Sequence, residues 1–213
     1  MLFRRRFGFN PPEKATSEGI VAVGGPLDVA TLQCAYRQGI FPWPHTGLPL
    51  LWFNPDPRAV FPLDRTRPNA RLRSFIRSHG YHCTIDTCFE RVMRACADRE
   101  STWITEDMVS AYTGLHHEKK AHSVETWQGD TLIGGIYGVS LGAAFFGESM
   151  FSHADNASKA AFHHLAMYLR EQGFLLFDSQ YINDHTRSLG AIEIPRDAFR
   201  SLLALAVESP DLF

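Results

Sequence analysis

Two apolar runs constrain this chain most: Phe145-Phe146-Gly147-Glu148-Ser149-Met150-Phe151 and, about thirty residues on, Phe177-Asp178-Ser179-Gln180. Burial takes their aromatic rings out of water, and each run carries one carboxylate inside with it. A desolvated acid is costly unless something pairs with it. Two such acids, each near the end of a strand, point to a pocket that holds an apolar side chain beside a polar reacting centre.

The N-terminal quarter has a different character. Residues 10–62 are dense in Pro and Gly, which favours short elements and tight turns. One helix fits there, from Asp28 as N-cap to Gln38, with Gly39 as the stop. Ile40–Trp43 and Leu50–Phe53 bring two Trp into a Pro-framed module. Beyond it, Arg65, Arg67, Arg71, Arg73 and Arg77 occur with no acid before Asp86, and Ala70 to Ser78 reads as a helix with Leu72, Phe75 and Ile76 inward. Arg73 and Arg77 share a face, with Arg71 to one side. That row fits either a solvated helix face or a phosphate-binding patch. Further helices are expected from Asp86 to Ala97 and from Thr105 to His117.

From His122 the period becomes two. Ser123–Trp127, a turn at Gln128-Gly129-Asp130, and Thr131–Val139 form a hairpin, and Gly142–Gly147 adds a third antiparallel strand. Asn156 can cap a helix running to Gln172, stopped by Gly173. Phe174–Ser179 reads as a buried strand, followed by a short helix at Asp184–Leu189 and a last strand at Ala191–Ile194. The fold class is α+β, with the ligand expected where strands splay.

Composition and motifs exclude several classes. The 213 residues are 45% hydrophobic, enough for a core, and the formal net charge of −2 means that any nucleic-acid contact needs a local patch. Cys34, Cys83, Cys88 and Cys96 form no CxxC pair and read as free buried thiols of a reducing compartment. The basic start Met1–Arg6 is followed by no apolar region, so it is not read as a signal peptide, and no run is long enough to span a membrane. Ser149 lacks the second glycine of a G-x-S-x-G elbow. His116, His117, His122, His163 and His164 read as surface residues, because no H-E-x-x-H is present and neighbouring helical positions diverge. No metal site is expected.

Taken in order, a longer set of segments becomes recognisable. It comprises Gly24-Gly25, Ala35–Trp43, Asn54–Arg58, Thr102–Thr105, Ala121–Glu125, Gly134–Val139, Phe146–Ser152, Asn156–Lys159, Asp178–Gln180, Asn183–His185, Ser188–Ala191 and Ile194–Arg196. With these the chain resembles the bacterial leucyl/phenylalanyl-tRNA–protein transferases over almost its whole length. The resemblance implies a small N-terminal domain, 1–57, and a catalytic domain, 58–213, of the acetyltransferase-like (GNAT) fold with a mixed, mainly antiparallel sheet. It implies transfer of Leu, Phe or Met from aminoacyl-tRNA to the α-amine of proteins beginning with Arg or Lys, a degradation signal of the N-degron pathway. It also implies a cytoplasmic enzyme, expected as a monomer, with no cofactor. Asp178 and Gln180 take the catalytic positions, and Ile136, Phe145, Glu148, Phe162, Leu165 and Leu169 those of the aminoacyl pocket. Trp43 and Trp103 fall where the terminal adenosine is held; Arg71, Arg73 and Arg77 are expected on the tRNA, and Glu148 and Asn183 near the acceptor peptide.

Several positions depart from the family pattern. Ser179 occupies the place of a frequent Cys, so no thiol is required there. Leu165 stands for an aromatic residue and Phe162 for an aliphatic one, which re-shapes the pocket at similar volume. Aminolysis of an ester asks little of a base, because an α-amine with a pKa of roughly 7.7–8.0 is partly neutral at pH 7. Asp178 is therefore expected to orient the attacking amine, with Gln180 holding the amine or the carbonyl oxygen. An acetyl-CoA enzyme of the same fold is the rival reading, but Ser152–Ser158 lacks the glycine of a pyrophosphate loop. A non-catalytic RNA-binding module would use the arginines and Trp43 but gives no role to Asp178 and Gln180.

Overall fold

A computed structural model describes residues 7–213; the basic start at Met1–Arg6 lies outside the described residues. The N-terminal segment forms β1 (Ile20–Val23), α1 (Val29–Tyr36), β2 (Phe41–Trp43) and β3 (Leu51–Phe53), and its strands pair antiparallel in the order β1-β3-β2. Asp28 caps α1 by accepting from Thr31 N at 2.8 Å. Gly39, at φ +71°, ends that helical stretch.

The remaining elements are β4 (Arg58–Val60), α2 (Ala70–Ser78), β5 (Tyr81–Ile85), α3 (Phe89–Ala97), α4 (Glu106–His117), β6 (Ala121–Gln128), β7 (Thr131–Leu141), β8 (Ala144–Ser152), α5 (Ala157–Gln172), β9 (Leu176–Gln180), α6 (Asp184–Ser188), β10 (Ile192–Ile194) and α7 (Arg196–Glu208). They build a seven-stranded sheet in the order β10-β4-β9-β8-β7-β6-β5. The β8–β9 pair is parallel and every other pair antiparallel, so the sheet is mixed and mainly antiparallel. Among the described residues no helix is long and apolar enough to cross a membrane.

The period of two feeds two cores. Tyr137, Phe146 and Leu176 join a cluster with α1, α3, α4 and α7 on one face. Their neighbours Ile136, Phe145 and Phe177 face the other way and pack under α5, against Phe162, Leu165 and Leu169. The sheet is therefore covered on both sides, and the apolar runs have no solvent face to spare.

Three expectations are corrected locally. Asp86 does not start α3: it sits at φ +57°, and its carboxylate instead binds His122 Nδ1 at 2.7 Å and Ser123 N at 2.8 Å. His122 is thus 4% exposed rather than a surface residue, with Phe213 stacked on its ring at 3.7 Å. Asn156 makes no side-chain cap and adopts a left-handed conformation; the hydroxyl of Ser152, at the end of β8, takes Ser158 N at 3.1 Å.

The β7–β8 pairing shifts register between Tyr137 and Gly138. A Cβ on Gly138 would lie 2.2 Å from the Phe146 carbonyl oxygen and 2.5 Å from the Phe145 ring. Gly138→Ala is expected to destabilise the protein by ~1–3 kcal/mol through overpacking. A urea midpoint equal to that of the parent would show that the strands can separate there at no cost.

Candidate active site

The parallel pairing of β8 with β9 covers only Ala144↔Leu176, Phe145↔Phe177 and Phe146↔Asp178. Beyond that point the strands part. Gly147–Ser149 and Ser179–Gln180 both line a cavity of about 480 Å³. Its apolar wall includes Phe61, Ile136 and Phe177, and Trp43 and Trp103 both line it. Phe61 stands edge-on to Phe162 at 4.6 Å and lies 4.9 Å from Phe177, so the wall is an aromatic stack rather than a deep slot.

The two acids have unlike surroundings. Asp178 is fully buried, and its oxygens accept from Arg58 Nε at 2.7 Å and Nη2 at 2.6 Å. Arg58, equally buried, donates from Nη1 to the Gly39 carbonyl at 2.9 Å and lies between the rings of Phe41 and Phe199. Asp178 Oδ1 also takes the backbone N–H of Gln180 at 3.2 Å. That residue sits at φ +58°, in the left-handed region. Asp178 therefore has no exposed atom. By accepting the Gln180 N–H it fixes the backbone from which that glutamine projects.

Glu148 faces the cavity. Its Oε1 accepts from the Tyr36 hydroxyl at 2.7 Å and from Gln180 Nε2 at 3.0 Å, and its Oε2 from the Tyr112 hydroxyl at 3.4 Å. The two phenols are 2.6 Å apart. Desolvation pushes the Glu148 carboxyl up to about 8; the Tyr36 hydroxyl opposes this and the Asp178 charge adds to it. Burial likewise drives both phenols well above their ordinary range, so they remain donors.

The other sequence-derived positions divide into three groups. Trp43, Trp103, Ile136, Glu148, Gln180 and Asn183 line the cavity. Asn183 also caps α6, taking Thr186 N at 2.8 Å. Phe145, Phe162, Leu165 and Leu169 lie behind the wall, none more than 1% exposed and none reaching the open space. Arg71, Arg73 and Arg77 are exposed on α2, which packs against the edge strand β5. Sequence reasoning gave no role to Arg58, Tyr36, Tyr112, Phe61 or Arg99. Arg99 holds the cavity's edge through Nη2, 3.0 Å from both Ser149 Oγ and the Met150 carbonyl. Tyr36 and Arg58 stood inside recognised segments, yet nothing local said that they meet residues more than a hundred positions away.

Removing one partner of a buried ion pair leaves a charge without compensation. Arg58→Met or Asp178→Leu alone is expected to cost ~3–5 kcal/mol, and the double variant less than either single one. Additive losses in chemical denaturation would mean that the two side chains do not depend on each other.

Comparisons with known proteins agree with one another. The model of the leucyl/phenylalanyl-tRNA protein transferase family matches residues 60–204, and that of the family's N-terminal domain residues 25–56. A leucyl/phenylalanyl-tRNA–protein transferase of Cellvibrio japonicus is 48% identical over 196 residues, 90% of this chain and 83% of that one. One from Anaeromyxobacter sp. (strain K) is 46% identical over 218 residues, 99% of this chain and 94% of that one. A solved structure described as L-PGS from Bacillus licheniformis aligns at a TM-score of 0.40 with 14% identity, covering 68% of this chain and 48% of that one, too distant to argue from. With family models on both parts of the sequence and near-half identity along most of it, the chain belongs to the leucyl/phenylalanyl-tRNA–protein transferase family.

Proposed function

We propose that this protein moves Leu, Phe or Met from aminoacyl-tRNA to the N-terminal α-amine of proteins beginning with Arg or Lys, and so marks them for degradation. The supporting observation is the cavity between the parting strands, where the Glu148 carboxyl and the Gln180 amide stand opposite an apolar wall of Phe61, Ile136 and Phe177. An aminoacyl side chain suits the wall, and an amine meeting an ester carbonyl suits the polar pair. In this reading residues 58–213 are a GNAT-like catalytic domain and 1–57 a small N-terminal one. The enzyme works in the cytoplasm as a monomer, without metal or cofactor.

The chemistry is aminolysis of an activated ester. Deprotonating an α-amine of pKa roughly 7.7–8.0 at pH 7 costs only about 1 kcal/mol, so most of the rate comes from holding the reactants in line. Gln180 donates its Nε2 to Glu148, which leaves its amide oxygen for the incoming amine. Trp43, packed on Tyr181 at 5.4 Å, and Trp103 offer faces for the terminal adenosine. Asn183, at the same cavity, is near enough to meet the acceptor's backbone. The arginines of α2 lie three strands from β8, about 14 Å at normal strand spacing, a distance suited to the acceptor stem rather than to the reacting end.

Label from Leu-tRNA should pass to acceptors that begin with Arg or Lys and not to those that begin with Ala, while labelled acetyl-CoA passes to none. Acetyl transfer without aminoacyl transfer would reverse the reading. Replacing Arg73 and Arg77 by Gln should flatten the dependence of log K for tRNA on log salt by about one to two units. An unchanged slope would move the stem to another face.

A further inference from the structure

Among the described residues Glu148 is the only carboxylate lining the cavity, and its hydrogen-bond partners come from three elements. Tyr36 on α1 and Tyr112 on α4 donate to it from one side and Gln180 on β9 from another. The charges of Asp178 and Arg58 act on it from β9 and β4. Tyr137 on β7 faces the same group, and Arg99, after α3, bonds its neighbour Ser149. The second acid, Asp178, has no exposed atom and is spent on Arg58 and the Gln180 backbone.

Resting on the transferase reading, we propose that Glu148 is the catalytic group that receives the proton released when the acceptor's α-amine attacks the aminoacyl ester. The amine lone pair forms the C–N bond as the carbonyl π electrons move onto oxygen. One N–H proton passes to the Glu148 carboxylate. When the carbonyl re-forms, the C–O bond to the ribose breaks, and the departing ribose oxygen takes that proton. The peptide bond is made, the tRNA leaves with its hydroxyl restored, and Glu148 returns to its carboxylate form. The Gln180 amide, 3.0 Å from the same carboxyl oxygen, would hold the incoming amine beside Glu148. Burial raises the carboxyl to about 8, close to the amine's own value of roughly 7.7–8.0, so the proton moves between groups of similar affinity. The phenols, held protonated by burial, do not compete for it.

The test is single-turnover transfer from Leu-tRNA to an Arg-starting acceptor across pH 5.5–8.5, with parent and Glu148→Gln, beside the affinity of each for the phosphate-free donor leucyl-adenosine. The glutamine keeps an acceptor oxygen for Tyr36 but cannot take the proton. The expected result is donor affinity within about threefold of the parent and a transfer rate lower by about a hundredfold or more. The acid limb of log rate against pH should also change, from a slope approaching about two to a slope of about one, because only the amine then still titrates. A variant that retains its rate within about threefold, or one whose slope is unchanged while donor affinity collapses, overturns the assignment. A parent enzyme that binds donor but transfers nothing to any acceptor would instead sink the transferase reading, and this inference with it.

Discussion

The buried pairing of Arg58 with Asp178 is the contact on which the rest of the site depends. Taking both charges out of water carries a heavy desolvation cost, offset only by close geometry and by use of the remaining donors. Here both carboxylate oxygens are engaged, the third guanidinium nitrogen reaches the Gly39 carbonyl, and the cation lies between Phe41 and Phe199. Five separate parts of the chain meet at that point: the turn after α1, strands β2, β4 and β9, and the C-terminal helix α7. Gly39 is required for it, since a Cβ there would lie 2.6 Å from the Phe199 ring and the backbone is at φ +71°. Asp178 of this junction also accepts the Gln180 N–H, and Gln180 ends β9 in the left-handed conformation with its amide on Glu148.

Two carboxylates thus share one neighbourhood and do different work. Asp178, met by a guanidinium, ties β9 to β4 and holds the Gln180 N–H. Glu148, met by neutral phenols and an amide, pays for its burial by holding a proton to higher pH. The division follows from which partners approach each acid, not from the apolar runs themselves, which look alike.

Much of the frame was legible because its causes are local. Asp28 and Gly39 bracket α1, the two-residue turn at Gly129-Asp130 fixes the β6–β7 hairpin, and alternation assigns Ile136 and Tyr137 to opposite faces. Glu148 and Gln180 stood out as polar groups in apolar runs. What the sequence left unread has a different cause. Strand β4 is three residues long inside a Pro-rich stretch and exists through its pairing with β9 and β10. The burial of Asp178 depends on Arg58, 120 positions earlier in the sequence. Phe145, Phe162, Leu165 and Leu169 share one core with Phe61 and Phe177, and of these six only Phe61 and Phe177 line the cavity. Helix α7 carries a readable stripe of Phe199, Leu203 and Ala206, all buried, but all three lie beyond the last recognised segment, Ile194–Arg196.

The reach of these contacts also sets when the site can come into being. Tyr36 meets Glu148 across 112 positions, and Arg58 meets Asp178 across 120. Closing loops of that length comes late in folding, after local helices and the hairpin have formed. On a ribosome, where the chain emerges from its N-terminus, the phenol and the guanidinium must wait for β8 and β9 to follow. A partly made chain would have its helices and half its sheet, but Glu148 would be an ordinary solvated acid. The buried Glu148 cluster is therefore among the last features to assemble, and the raised proton affinity of its carboxyl belongs only to a nearly finished molecule.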